Sequence, residues 1–232
     1  MISDNCWYSH RKVLCDYCGV KDTPVFGLIQ HGWINPYLHK EIYQSKNLIN
    51  FFCWNKELEE VSKNNGFKKI KAIGAPFIYL SEMVKKKNFN LPKGTLVFPS
   101  HSNFEDFQLV NHKCLIDEVE KKFEPPFKVN LYYTDYKKKI INIYNRKNWE
   151  VLCSGARNQN NFLNNLYQSI IESNNCVYTE ISSSLFYAMF LNKNVQLIKK
   201  TNSEEDISLV DRDNQNTFEV SFIKDFPEIL NG

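Results

Sequence analysis

Two stretches place hydroxyl, imidazole and carboxylate groups where a chain turns out of a buried strand. Glu180-Ile181-Ser182-Ser183-Ser184 follows the apolar run Cys176 to Thr179 and precedes Leu185 to Leu191, which is apolar all round. That order predicts a strand, a serine-rich turn and a helix packed on a sheet. The turn would put hydroxyls and backbone N–H groups at a helix N-terminus, where partial positive charge favours a phosphate. Serine is also a favoured N-cap, so plain helix capping explains the same residues. Pro99-Ser100-His101-Ser102 likewise follows a predicted strand, Thr95 to Phe98. Ser102 and Glu105 fit a capping box, which leaves Ser100 and His101 as the ligand candidates. Arg157, in Gly155-Ala156-Arg157, is a further anion contact by charge.

Gln30-His31-Gly32 ends another predicted strand, Val25 to Ile29. An imidazole there titrates near neutral pH and suits a general base, although histidine fills structural positions about as often. Gly32 lets a second group approach the backbone closely. Cys15 and Cys18 form a C-x-x-C with Cys6 and His10 nearby, half of a zinc site or a redox pair. No second pair follows, and Cys18-Gly19 runs into the turn signal Lys21-Asp22-Thr23-Pro24. No metal is expected, and the simpler reading is thiols beside Trp7 and Tyr17.

These loops need a scaffold. With 232 residues, 43% of them hydrophobic, the chain can bury the core of one large domain or two small ones. There is no run of about 18 apolar residues and the N-terminus does not resemble a signal peptide, so a cytoplasmic protein is expected. Seven cysteines, an odd number spread through apolar segments, fit free thiols in a reducing compartment. A net charge of +3 is too small to argue for nucleic acid. The runs Lys85-Lys86-Lys87, Lys137-Lys138-Lys139 and Lys68-Lys69 with Lys71 fit solvated faces, with peripheral contact to an anionic inner membrane face as the alternative.

Early strands are predicted at 51–54 and 69–73, with a helix from Asn55 to Asn65 closed by Gly66. Gly74-Ala75-Pro76 and the apolar patch 77–80 lead into a Lys-, Pro- and Gly-rich stretch, 85–94, that reads as a linker. Domains 1–90 and 91–232 follow. From Thr95, strands at 95–98, 129–133, 150–153, 176–179 and 195–198 alternate with helices near 106–122, 137–147, 161–173 and 183–191. Phe162, Leu163, Leu166, Tyr167, Ile170 and Ile171 lie on one face of the third helix. Such alternation implies an α/β fold with a doubly wound parallel sheet, Rossmann-like, after a short N-terminal α/β half. The region 201–216 reads as an acidic loop and 217–223 as an edge strand. In the strand order 3-2-1-4-5, the first and fourth strands are neighbours and ligands bind above their C-terminal ends. Ser100 and His101 would then meet Glu180, Ser182, Ser183 and Ser184.

Taken together, Gln30-His31-Gly32, Gly74-Ala75-Pro76, Pro99-Ser100-His101-Ser102 and Thr179 to Ala188 resemble the GT-B type glycosyltransferases of bacterial surface-polysaccharide synthesis. More distantly, the chain is similar to CDP-glycerol glycerophosphotransferases and bacterial sialyltransferases. It departs from the sialyltransferase pattern at Ser102, where that family has proline after histidine. The resemblance implies two Rossmann-like halves and metal-independent transfer, without a cofactor, of a sugar or polyol phosphate. The donor would be a nucleotide-activated sugar or polyol and the acceptor a glycan or lipid-linked glycan. His31 would be the base facing across the cleft, and Ser182 and Ser183 the phosphate ligands, assisted by His101. A non-catalytic member of the fold that binds a nucleotide-sugar or a partner protein is the alternative, and a nucleotide-sugar epimerase a weaker one.

Overall fold

The computed structural model describes residues 3–33, 50–84, 91–101 and 110–198. The lysine run 85–87, most of the predicted linker, the Ser102–Glu105 capping box and the region beyond 198 lie outside them. The chain is α/β, with two parallel sheets, and divides into two compact units: Met1–Asn88 with Gly155–Tyr167, and Phe89–Ser154 with Gln168–Gly232. No helix among the described residues is long and apolar enough to cross a membrane.

In the first unit, β1 (Leu28–Ile29), β2 (Phe51–Cys53) and β3 (Ile70–Ala72) pair in sequence order. β1 is shorter than its apolar run, and Asn5 explains how so short a strand is held. Its buried side-chain amide donates to the Gly27 carbonyl at 2.7 Å and accepts from the Ile29 N–H at 2.8 Å. The amide thus does for β1 what a neighbouring strand would do, satisfying backbone groups that would otherwise be buried unpaired. α2 (Lys56–Asn64) begins where expected: the Asn55 side chain accepts from Leu58 N–H at 2.7 Å, and Gly66 follows the helix with φ +89°. Leu58 turns inward against Phe51, Phe67 and Ile70. On the other side of the helix Glu59 pairs with Lys63 and accepts from the Ala72 N–H at 2.8 Å, which ties α2 to β3.

Two helices of this unit were not expected from sequence. α1 (His10–Tyr17) and α3 (Pro76–Val84) pack on each other, with the Tyr17 and Tyr79 rings 4.7 Å apart. Pro76 is accommodated at the first position of α3, where its missing N–H costs nothing. Cys15 is buried and Cys18 exposed, and no three metal-ligating side chains gather among the described residues.

The second unit carries β4 (Thr95–Phe98), β5 (Phe127–Asn130), β6 (Glu150–Leu152), β7 (Asn175–Tyr178) and β8 (Asn194–Leu197). Their spatial order is β6-β5-β4-β7-β8, all parallel, which is the predicted 3-2-1-4-5. Central β4 is fully buried over Thr95 to Val97, as an inner parallel strand requires. α4 (His112–Lys122) and α5 (Lys138–Asn145) cover one side through Leu115, Ile116, Val119, Ile140 and Tyr144. α6 (Phe162–Ile171), divided between the two units after Tyr167, and α7 (Ser183–Phe190) complete the alternation.

β5 is a correction. Sequence places it at 129–133, but Phe127 is the register partner of Thr95 and the strand ends at Asn130. Tyr132 and Tyr133 therefore lie in the loop beyond the strand's C-terminal end.

Gly94 precedes β4 with φ +69°, and a Cβ there would fall 2.0 Å from the Pro126 carbonyl oxygen. Gly94→Ala is expected to lose more than about 1 kcal/mol of stability, since both the conformation and the space are refused to a side chain. A lowered urea midpoint at unchanged slope is the readout; an unchanged midpoint contradicts it.

Candidate functional site

In the second unit, register does what topology promised. Phe98 is the partner of Tyr178, their rings stack at 4.8 Å and 3°, and the residues after both strands emerge side by side. Ser100 N–H donates to Thr179 Oγ1 at 2.7 Å, and the two hydroxyls are 2.8 Å apart. Ser100 is only 4% exposed, so it joins the two loops rather than facing outward. His101, one residue on, is exposed. Its Nδ1 is 3.7 Å from Glu180 Oε1 and its ring centroid 4.8 Å from that of Tyr132.

Ser182 occupies the N-cap of α7 with extended backbone, φ −142° and ψ 166°, yet its hydroxyl caps no helix N–H. It bonds to Ser184 Oγ at 2.9 Å instead. The Ser184 carbonyl accepts from the hydroxyl of Tyr178 at 2.9 Å, and that phenol, wholly buried, has its pKa pushed well up by desolvation. Tyr178 thus acts as a fixed neutral donor that holds the start of the helix against the end of its own strand. The positive end of α7 is therefore shaped by the fold and uncapped by Ser182, in contrast to Asn55 and Asn111, whose side chains cap α2 and α4.

The same edge carries residues that sequence reasoning missed: Thr179, Tyr132, Thr134, and Asn130, whose amide donates to Ser154 Oγ at 2.8 Å. Their signal was position alone, immediately after strand ends. For Tyr132 the misplaced end of β5 hid it.

In the first unit, Gln30 organises the loops after β1 and β2. Its Oε1 accepts from Trp54 N–H, its carbonyl accepts from Trp54 Nε1–H and its Nε2–H donates to the Gly32 carbonyl, each at 2.8 Å. His31, between Gln30 and Gly32, is half-buried. Its ring lies 4.8 Å from Trp7 in an edge contact and 6.5 Å from Tyr8. Behind it sits His10, 1% exposed and absent from the expected site. Burial and the neighbouring His31 hold its pKa down to about 3, against a weaker upward pull from the Gln30 carbonyl. His10 is thus neutral at physiological pH.

Arg157 also falls in this unit. The segment 155–167 is held by the N-terminal turn: the Tyr8 N–H donates to the Arg157 carbonyl, Ser9 Oγ donates to the Gln159 carbonyl at 3.1 Å and accepts from Leu163 N–H at 3.2 Å. Tyr8 and Ser9 are both left-handed, with φ 55° and 63°. The Arg157 guanidinium lies over the Trp7 ring, 4.1 Å from its centroid.

Among the described residues two candidate sites therefore lie beyond strand ends: a hydroxyl-rich loop cluster with an open helix end, and a histidine and aromatic cluster that includes the Arg157 guanidinium. No protein-family model matches the chain, and a search of curated proteins returns no significant match.

Proposed function

We propose that the protein is a glycosyltransferase-like enzyme, GT-B-like in its two halves, that moves a sugar or polyol phosphate from a nucleotide-activated donor to a glycan acceptor. One observation carries this reading: the pairing of β4 with β7, which sets His101 and Glu180 beside a helix end that its own serine leaves uncapped. Departure of a nucleotide leaves negative charge on phosphate oxygens. The α7 N-terminus, Ser182 and Ser183 meet that charge with preorganised dipoles, and His101 adds a donor. His31 removes the proton from the acceptor hydroxyl.

The chain also contains one Asp-x-Asp, Asp211-Arg212-Asp213, which lies outside the described residues. Metal dependence is therefore an arm of the test. In a thermal-shift panel of CMP, CDP, UDP and GDP, with magnesium and with chelator, one nucleotide is expected to stabilise the protein by about 2.7 kcal/mol at a hundredfold excess over its dissociation constant. Flat melting curves under both conditions contradict a donor site. The double variant Ser182→Ala, Ser183→Ala is expected to bind that nucleotide at least about tenfold more weakly, for the loss of hydrogen bonds to a charged group. Because Ser182 caps nothing, the ligand-free variant should melt close to the wild type. Unchanged nucleotide affinity would return the serines to a structural role.

A further inference from the structure

We infer that Arg157 over Trp7, beside His31, forms an oxyanion-binding site on the first unit, and that its ligand is an acidic sugar presenting a carboxylate or phosphate. This rests on the reading of His31, in the same unit, as the base that meets the acceptor, and names what the acceptor must carry. Arg157 is the reason. Among the described residues no carboxylate and no hydrogen-bond acceptor pairs with its side chain, although it is half-buried; it lies over the Trp7 face, 4.1 Å from the ring centroid. By contrast Arg11, the other arginine of this unit, forms a two-point bond to Asp22 at 2.8 Å on each arm. A guanidinium whose central carbon lies over an indole, with no acceptor on its N–H groups among the described residues, keeps its planar fork of donors for a carboxylate or phosphate, which it can take bidentately.

What surrounds it has the character of a sugar site. Trp7, Tyr8, Trp54 and Phe162 supply ring faces and edges: Tyr8 meets Phe162 at 4.9 Å, Trp7 meets His31 at 4.8 Å and His10 meets Trp54 at 6.1 Å. Apolar walls with a few convergent polar groups are the usual composition of a small-molecule site. His10 in the same cluster is 1% exposed, and its buried Nδ1 has no hydrogen-bond partner among the described residues. Among the described residues no acidic side chain pairs with Arg157. The cluster is also built at a cost. Tyr8 and Ser9 hold consecutive left-handed conformations, which strain a non-glycine backbone, to bring the N-terminal turn onto the segment that carries Arg157.

The test titrates the full chain with glucuronate, glucose 1-phosphate and glucose, read by tryptophan fluorescence and calorimetry. Either or both anionic sugars should bind at least about tenfold tighter than glucose, and Arg157→Gln should abolish that preference while Arg157→Lys keeps part of it. The arm that binds identifies carboxylate or phosphate. Equal affinity for charged and neutral sugars, no binding of any sugar, or a preference untouched by Arg157→Gln overturns the site. Should Arg157→Gln fail to fold, the wild-type preference and its loss with rising salt decide alone. Binding of inorganic phosphate as tight as that of the sugar phosphate counts against a sugar site. Nucleotide affinity, the readout for the serine loop of the second unit, is measured on the same variants. It should not move, so either reading can fail without the other.

Discussion

The His31→Ala protein is expected to transfer about 10² to 10⁴ times more slowly than the wild type, the usual worth of a positioned general base, with its nucleotide affinity unchanged. The expectation follows from where each group sits. His31 emerges from β1 in the first unit, held between the Gln30 side chain and the Gly32 carbonyl it bonds, whereas the serine loop belongs to the second unit. A base acts on the acceptor proton, so its loss should fall on kcat. His31→Gln keeps much of the shape and should be equally slow. If nucleotide binding falls in parallel with rate, His31 is a donor ligand; if rate is unaffected, the histidine is structural. A wild-type protein that binds nucleotide and transfers nothing to any acidic or neutral acceptor would favour the binding-only alternative.

The second unit was far more legible in sequence than the first, for a physical reason. Inner parallel strands such as Thr95–Phe98 and Asn175–Tyr178 are buried on both faces, so they appear as apolar runs bounded by turns, and alternation with helices fixes their order. That order alone brought His101 to Glu180. The first unit is held by side chains doing backbone work across long separations, and no local pattern announces it. Asn5 completing the edge of β1 and Ser9 bonding to Gln159 and Leu163 are such cases. Because Ser9 and Tyr8 bind 157–163, Arg157 joins Trp7, although in sequence it reads as a loop of the second sheet. His10 was passed over for the same reason. Beside Cys15 and Cys18 it looked like part of a thiol motif, while its neighbours in space are His31, Trp54 and Tyr8. α3 went unassigned because Gly74-Ala75-Pro76 reads as a break, when Pro76 in fact opens the helix.

Acid should loosen the first unit well before carboxylates titrate, and His10 is the cause. An unfolded histidine has a pKa near 6.5, while the folded state holds His10 at about 3 because a charged imidazole there would be buried beside His31. Between those values the unfolded chain binds one more proton than the folded one, so stability rises with pH across the window and is lost as pH falls through it. The full contribution is present above about pH 6.5, and by pH 5 the loss amounts to about 2 kcal/mol, a large share of a typical folding free energy. His112, likewise lowered by burial, acts in the same direction in the second unit. Glu59 does not intrude: with its pKa held near 2 by Lys63 and the Ala72 N–H, its stabilising effect is full above its ordinary value of 4.5 and is lost between there and about 2, below the range titrated. The difference in unfolding free energy between wild type and His10→Gln, followed by urea titration from pH 7.5 to 5, isolates the His10 term. Wild type should lose stability faster than the variant, approaching about 1.4 kcal/mol per pH unit below pH 6. Parallel curves would mean that His10 accepts its proton without unfolding anything, and that the imidazole behind His31 is not held neutral.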